Sequence, residues 1–278
     1  MNLQIILVEC NDQKGLIHAV TGVLLRHGLN IVQNNEFVDH GSGRFYMRTI
    51  VEDRVDPERL ERELLAVLPQ GAAVRFPSRE KRRLVILATK EYHCLGDLLL
   101  RNAFGELNAE ILAVVSNHAS LEELVRRFDI PYHHIPHQGK SRGEHEAEIL
   151  AACRPYDPEY IVLAKYMRVL TGSFIDHYPN RIINIHHSFL PAFTGASPYR
   201  RAYERGVKII GATAHFVTEQ LDEGPIIAQD VIPIGHTFTV ADMIQAGRDV
   251  EKAVLARAIK LVLDERIFLC GKRTIIFE

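Results

Sequence analysis

The chain has 278 residues, 47% of them hydrophobic, and its 33 basic and 35 acidic side chains leave a formal charge of −2. That is enough apolar material for one large domain or two modest ones, each with its own core, and the near-neutral balance gives no electrostatic footprint for nucleic acid. No apolar run approaches the about 18 residues of a membrane helix, and the chain opens on the strand-like Leu3-Gln4-Ile5-Ile6-Leu7-Val8 rather than a signal peptide, so a cytoplasmic protein without a membrane partner is expected.

The first segment reads as strand (Leu3 to Val8), helix (Gly15 to His27), strand (Leu29 to Val38), strand (Arg44 to Val51), helix (Pro57 to Leu68) and strand (Ala72 to Phe76). Ile17, Val20, Thr21, Val23 and Leu24 form an amphipathic stripe, Gly28 is a natural glycine beyond the helix end, and His40-Gly41-Ser42-Gly43 suits a hairpin turn. The βαββαβ order predicts an antiparallel sheet with two helices, a ferredoxin-like domain over residues 1–77. Pro77-Ser78-Arg79-Glu80-Lys81-Arg82 breaks all periodicity, so residues 78–83 are expected to be a linker, and the basic group Arg79 to Arg83 is read as its solvated part.

From residue 84 strands and helices alternate: Leu84 to Ala88, Leu95 to Asn102, Ile111 to Ser116, Leu121 to Phe128, Tyr132 to Ile135, Glu144 to Cys153, Tyr160 to Ala164 and Ile182 to Ile185. Such alternation predicts an α/β domain over residues 84–278, an open and mostly parallel sheet with helices on both faces. Ile209 to Val217 and Ile226 to Ile232, separated by a short loop, extend the sheet antiparallel; a long helix from about Ala241 to Leu263 should cross it, and Phe268 to Phe277 should close as a hairpin. GxGxxG, GxxxxGK[ST] and GxSxG are all missing, which removes dinucleotide, mononucleotide and serine-hydrolase readings. Cys10, Cys94, Cys153 and Cys270 have no metal-ligand spacing and read as free thiols, and His133, His134 and His137 lack a flanking ligand set, so no metal is expected.

The segment Arg181-Ile182-Ile183-Asn184-Ile185-His186 reads as a buried strand whose end is marked by Pro191. Side chains two apart on a strand point the same way, so Asn184 and His186 address one point, where strand ends of open α/β sheets bind ligands. Asp222, on a loop ended by Gly224-Pro225, supplies a carboxylate for an acid–base site there. Alternation points His187 away from His186, in a role either supporting the site residues from behind or packing.

Asn184-Ile185-His186, Ser188-Phe189-Leu190-Pro191, His215-Phe216-Val217 and Asp222-Glu223-Gly224-Pro225, in that order, resemble the folate-dependent formyltransferase fold, with its Rossmann-like sheet. The pair His186-His187, the continuation Phe193-Thr194-Gly195-Ala196-Ser197-Pro198-Tyr199 and Glu91-Tyr92-His93-Cys94-Leu95-Gly96-Asp97-Leu98-Leu99 are similar to the formyltetrahydrofolate deformylases. The N-terminal segment with Asp12-Gln13-Lys14-Gly15-Leu16 is similar to an ACT regulatory domain.

The resemblance implies hydrolysis of 10-formyltetrahydrofolate to tetrahydrofolate and formate with water as acceptor, with no resident cofactor, the formate feeding purine biosynthesis and the reaction balancing folate pools. Attack on an N-formyl group builds negative charge on its oxygen. Asn184 is expected to donate to that oxygen; His186 donates there too or protonates the departing nitrogen, and Asp222 orients His186 and assists deprotonation of water. In the family the backbone at Met167-Arg168-Val169-Leu170 reads the pterin, although deformylases often have glutamine at the position of Arg168, and Val217 to Asp222, including Leu221, forms the other wall. The transformylases hold their acceptor's phosphate on a glycine-rich loop; Thr89-Lys90-Glu91-Tyr92-His93-Cys94-Leu95 stands there instead, which predicts a pocket closed to ribonucleotides. At the ACT loop, Asp12, Gly15 and Leu16 precede helix amides suited to an amino-acid carboxylate, by analogy methionine or glycine, between copies of a homo-oligomer. Equally, Asp12 caps the helix region and the domain serves assembly alone.

Overall fold

The protein is described here from a computed structural model covering residues 3–52, 55–78, 80–191 and 198–278. Two compact units account for the chain, Met1–Glu80 with Ile276–Glu278, and Lys81–Ile275.

In the first unit β1 (Leu3–Asn11), α1 (Leu16–Arg26), β2 (Asn30–Asp39), β3 (Arg44–Glu52), α2 (Pro57–Val67) and β4 (Ala73–Arg75) follow the expected βαββαβ order. The sheet order is β2-β3-β1-β4 with every pairing antiparallel. α1 buries Leu16, Val20, Val23 and Leu24, whereas Ile17 is 43% exposed. The apolar face therefore runs through Leu16, one position before the residue the periodicity suggested, at helical spacings of four, three and one. α2 begins at Asp56, whose carboxylate accepts the Arg59 N–H, and Pro57 fills the first helical position where no amide is needed.

In the second unit the elements are β5 (Arg82–Ala88), α3 (His93–Ala103), β6 (Ala109–Ser116), α4 (Glu122–Arg126), β7 (Tyr132–His134), α5 (Arg142–Cys153), β8 (Tyr160–Ala164), α6 (Gly172–Ile175), β9 (Ile182–His186), α7 (Pro198–Arg205), β10 (Ile209–Phe216), β11 (Ile226–Pro233) and α8 (Val240–Leu263). The last strands, β12 (Ile267–Cys270) and β13 (Arg273–Ile276), pair with each other, turning at Gly271 with φ +59°. The seven-stranded sheet has the order β11-β10-β9-β8-β5-β6-β7. β9 through β7 run parallel and β10 and β11 return antiparallel. Leu84 to Ala88 and Ile161 to Ala164 are buried without alternation, as expected for central parallel strands covered on both faces. α8 opens with a Thr239–Asp242 capping box and packs along β9, β10 and β11 and against α3. Among the described residues no helix is long and apolar enough to cross a membrane.

Arg82 and Arg83, read from the sequence as linker, open β5 instead. Arg82 is not solvated: its side chain is 13% exposed and pairs with Glu159 at 2.8 Å and Glu265 at 2.7 Å. Arg79 lies outside the described residues.

Candidate active site

β9 sets the site. Asn184 lies opposite Leu163 of β8 on one side and His215 of β10 on the other, while His186 faces Thr213. Directly opposed residues of adjacent strands share a face, as do residues two apart on one strand, so Asn184, His186 and His215 project together. The Asn184 amide nitrogen is 3.2 Å from His215 Nε2, and His215 Nδ1 is 2.9 Å from the Phe216 carbonyl. With Nδ1–H donating to that carbonyl, Nε2 accepts one Asn184 N–H, and among the described residues the second N–H of the amide has no acceptor. Two residues beyond the strand's end, Ser188 also serves the site: its Oγ is 2.9 Å from His186 Nε2. Buried Thr213 fixes this stretch by donating to the Ser188 carbonyl at 2.9 Å and accepting the Leu190 N–H at 3.0 Å.

Asp222 arrives from the loop between β10 and β11. Its Oδ2 is 3.3 Å from His186 Nδ1 and its Oδ1 is 3.7 Å from His215 Nε2. The His186 hydrogen bond outweighs partial burial and holds the Asp222 carboxyl well below the usual carboxylate range. The loop closes back on β10 at Gly224, where an added Cβ would stand 1.7 Å from the Phe216 carbonyl oxygen. Only glycine permits that approach, so Gly224 secures the position of Asp222. Thus Asn184, His186 and Asp222 meet at one place.

A cavity of about 230 Å³ opens there, lined by these three residues together with Met167, Arg168, Val169, Leu170, Val217 and Leu221. The segment Met167 to Leu170 is pinned at both ends. Thr89 Oγ1 accepts the Met167 N–H at 3.0 Å, and buried Glu146 accepts the Thr171 N–H at 2.9 Å as well as its hydroxyl. The Met167 amide is therefore spent on Thr89. Met167 and Leu221 are 60% and 63% exposed, so apolar surface stands uncovered on both walls.

Two regions of the chain match family models: Formyl transferase over residues 82–259 and ACT domain over residues 4–69. A formyltetrahydrofolate deformylase from Escherichia coli O6:H1 is 58% identical over 96% of this chain and 95% of its own, and one from Haemophilus influenzae is 51% identical over 98% of each. The chain belongs to the formyltetrahydrofolate deformylase family. A crystal structure of a formyltetrahydrofolate deformylase from Pseudomonas syringae superposes with a TM-score of 0.93 at 37% identity, covering 100% of this chain and 95% of the other. Glycinamide ribonucleotide transformylase 1 from Symbiobacterium toebii matches at a TM-score of 0.69 and 32% identity, over 76% of this chain and all of its own. The chain thus matches family members across both of its units.

Several features escaped the sequence reading. His187 does not point away: its ring stacks on His186 at 5.1 Å and 12° and lines the cavity. Strand β9 ends at His186, so alternation no longer governs the next residue. Burial, with the charge of Lys165 second, pushes the His187 imidazole down to about 4 and keeps it neutral. His215, quoted in a motif but given no role, orients Asn184. Behind the cavity, Glu251 of α8 receives His93 Nε2 at 2.7 Å, Lys165 Nζ at 3.1 Å and the Tyr199 hydroxyl at 2.7 Å. Burial alone would raise the Glu251 carboxyl, but the His93 hydrogen bond, the Lys165 charge and the Tyr199 hydroxyl bring it down to about 2. The continuation Phe193 to Ser197 lies outside the described residues.

His93, Cys94 and Glu251 offer ligand atoms within 4.8 Å of one another. The Lys165 ammonium, however, already pairs with the Glu251 carboxylate at 3.1 Å, and burial followed by the Glu251 charge pushes the Cys94 thiol far up, away from thiolate. The geometry is that of an ion-paired cluster. His133 and His137 are engaged apart, with Tyr156 at 2.8 Å and Asn117 at 3.2 Å. Glu91, in the loop between β5 and α3, is tied to Arg248 of α8 at 2.8 Å.

In the first unit Gly15 is the N-cap of α1 at φ +89°, with no side-chain cap bond, so Asp12 does not cap the helix. Asp12 is exposed and donates its backbone N–H to the Gly43 carbonyl at 2.8 Å. The Leu16 side chain is 3% exposed and committed to the core, which leaves its backbone as the part able to meet a ligand.

Proposed function

We propose that this protein hydrolyses 10-formyltetrahydrofolate to tetrahydrofolate and formate. The observation that supports the reading most is the convergence of Asn184, His186 and Asp222 on one cavity, beside the apolar walls of Met167 to Leu170 and Leu221. In this reading the pterin lies against Met167, Arg168, Val169, Leu170, Val217 and Leu221, and the formyl group reaches β9. The free N–H of Asn184 and the His186 ring stabilise the oxygen that gains charge, and Asp222, a carboxylate throughout the neutral range, receives a proton from the attacking water. His186, held by Asp222, passes a proton to the departing nitrogen. The ties of Glu91 to Arg248 and of His93 to Glu251 fill the acceptor side, which suits water better than a ribonucleotide.

Residues 1–77 are proposed as the regulatory domain, 78–81 as the connection, and the stretch from Arg82, where β5 opens, as the catalytic domain. An amino acid such as methionine or glycine would bind by its carboxylate near Asp12, Gly15 and the Leu16 backbone, between copies in a homo-oligomer. The formate released would supply purine biosynthesis, and the reaction would balance one-carbon folate pools. Purified protein given 10-formyltetrahydrofolate and no amine is expected to release formate and tetrahydrofolate in equal amounts. Turnover only after an amine is added would assign a transferase, and silence under both conditions a binding protein.

A further inference from the structure

We infer that Lys165 holds the formate product, binding its carboxylate at the inner end of the cavity. The inference rests on the hydrolase reading above. Hydrolysis breaks the formyl C–N bond and forms a C–O bond to water; one proton of the water goes to the nitrogen, the other is released, and a neutral formamide becomes an anion. The site must meet a negative charge that the substrate's formyl group did not carry, close to Asp222, which is already anionic.

Lys165 is placed for that. Its side chain is 9% exposed, yet it lines the cavity beside Asn184, His186 and His187. Glu251 is its one ion-pair partner among the described residues, at 3.1 Å. An ammonium has three N–H donors, and among the described residues Glu251 takes one of them. Glu251 itself is engaged on both oxygens, with His93 and Lys165 on one and Tyr199 on the other, and so anchors the ammonium. The backbone adds an independent sign. Lys165 stands at φ +60° at the end of β8, a left-handed conformation that asparagine and aspartate tolerate and lysine does not favour. Asp222, across the same cavity, has φ +59°. Strained conformations persist where surrounding structure enforces them, commonly at functional sites. The uncovered apolar walls at Met167 and Leu221 suit the folate, which leaves the buried Lys165 end for the small product.

The test titrates [13C]formate against the full-length protein and reads its line width, alongside formate inhibition of turnover. In Lys165→Met the formate dissociation and inhibition constants should rise at least about tenfold, the loss expected for one hydrogen bond to a charged group, with the KM for 10-formyltetrahydrofolate changed less than about twofold. Lys165→Arg should recover most of the affinity. Unchanged formate binding in Lys165→Met, or its loss in Arg168→Gln instead, overturns the inference, since Arg168 also lines the cavity. Should Lys165→Met not fold, crystals of the unmodified protein in sodium formate decide: a carboxylate within hydrogen-bond distance of Lys165 Nζ supports the inference, and formate elsewhere or absent overturns it. Formate binding that depends on Lys165 in a protein without hydrolysis would sink the hydrolase reading alone; hydrolysis with formate binding indifferent to Lys165 would sink this inference alone.

Discussion

Asp222→Asn is expected to lower kcat about 10³- to 10⁴-fold, the upper end of what one acid–base group contributes. Asparagine is the informative replacement because position 222 has φ +59°, and asparagine accepts the left-handed region as well as aspartate does. The loop, held by Gly224 against Phe216, should therefore stay in place, and the melting temperature should move by no more than about 4 °C. What disappears is the charge that orients His186 at 3.3 Å and the base for the incoming water. The pH dependence has a definite sign. The folded Asp222 carboxyl is depressed relative to its unfolded value, so its contribution to stability is present at neutral pH and fades as acid protonates it. An acid limb of the rate profile near neutrality therefore belongs to another group. A wild-type profile governed there by Asp222, or a variant retaining more than a tenth of kcat, contradicts the assignment.

The second large effect is Asn184→Ala, for which kcat should fall about a hundred- to a thousandfold with KM nearly unchanged. A donor aimed at the formyl oxygen acts most strongly as charge builds there, so its loss appears in turnover rather than in binding. The geometry explains how an amide can serve: His215 Nε2, 3.2 Å away, takes one N–H and fixes the orientation of the other. His215 is 2% exposed and opposes Asn184 across the β9–β10 ladder, so it orients an amide that already faces the cavity. Steady-state kinetics with the folate substrate checks the split; an increase in KM at constant kcat would move Asn184 from the reaction to ground-state binding.

Much of this site was legible because it is local. The i, i+2 spacing of Asn184 and His186, the glycine that must follow Asp222, and the break at Pro191 are all statements about a few neighbouring residues and a strand's period. The βαββαβ order and the strand–helix alternation were readable for the same reason. What could not be read is what joins distant segments. His93, Lys165, Tyr199 and Glu251 lie on four separate elements, and each alone looks like an ordinary polar residue of a helix or loop; the cluster exists only after α3 and α8 pack across the sheet. Glu251 falls within the buried stripe of α8, four residues after Gly247 and four before Leu255, so its burial was readable from the helical spacing while its partners were not. Arg82 looked like linker because a charged residue beside Lys81 and Arg83 carries no sign of its partners, Glu159 and Glu265, far along the chain. His187 was misdirected by extending strand alternation one residue past the strand's end.

The most direct test of the central claim, that water is the acceptor, is to run the reaction without amine in H₂¹⁸O and analyse the formate by mass spectrometry. Hydrolysis at this site predicts that each formate carries one ¹⁸O from solvent and one oxygen from the formyl group, at a rate that collapses in Asp222→Asn. Formate released without label, or label that appears only when an amine is supplied, would contradict it.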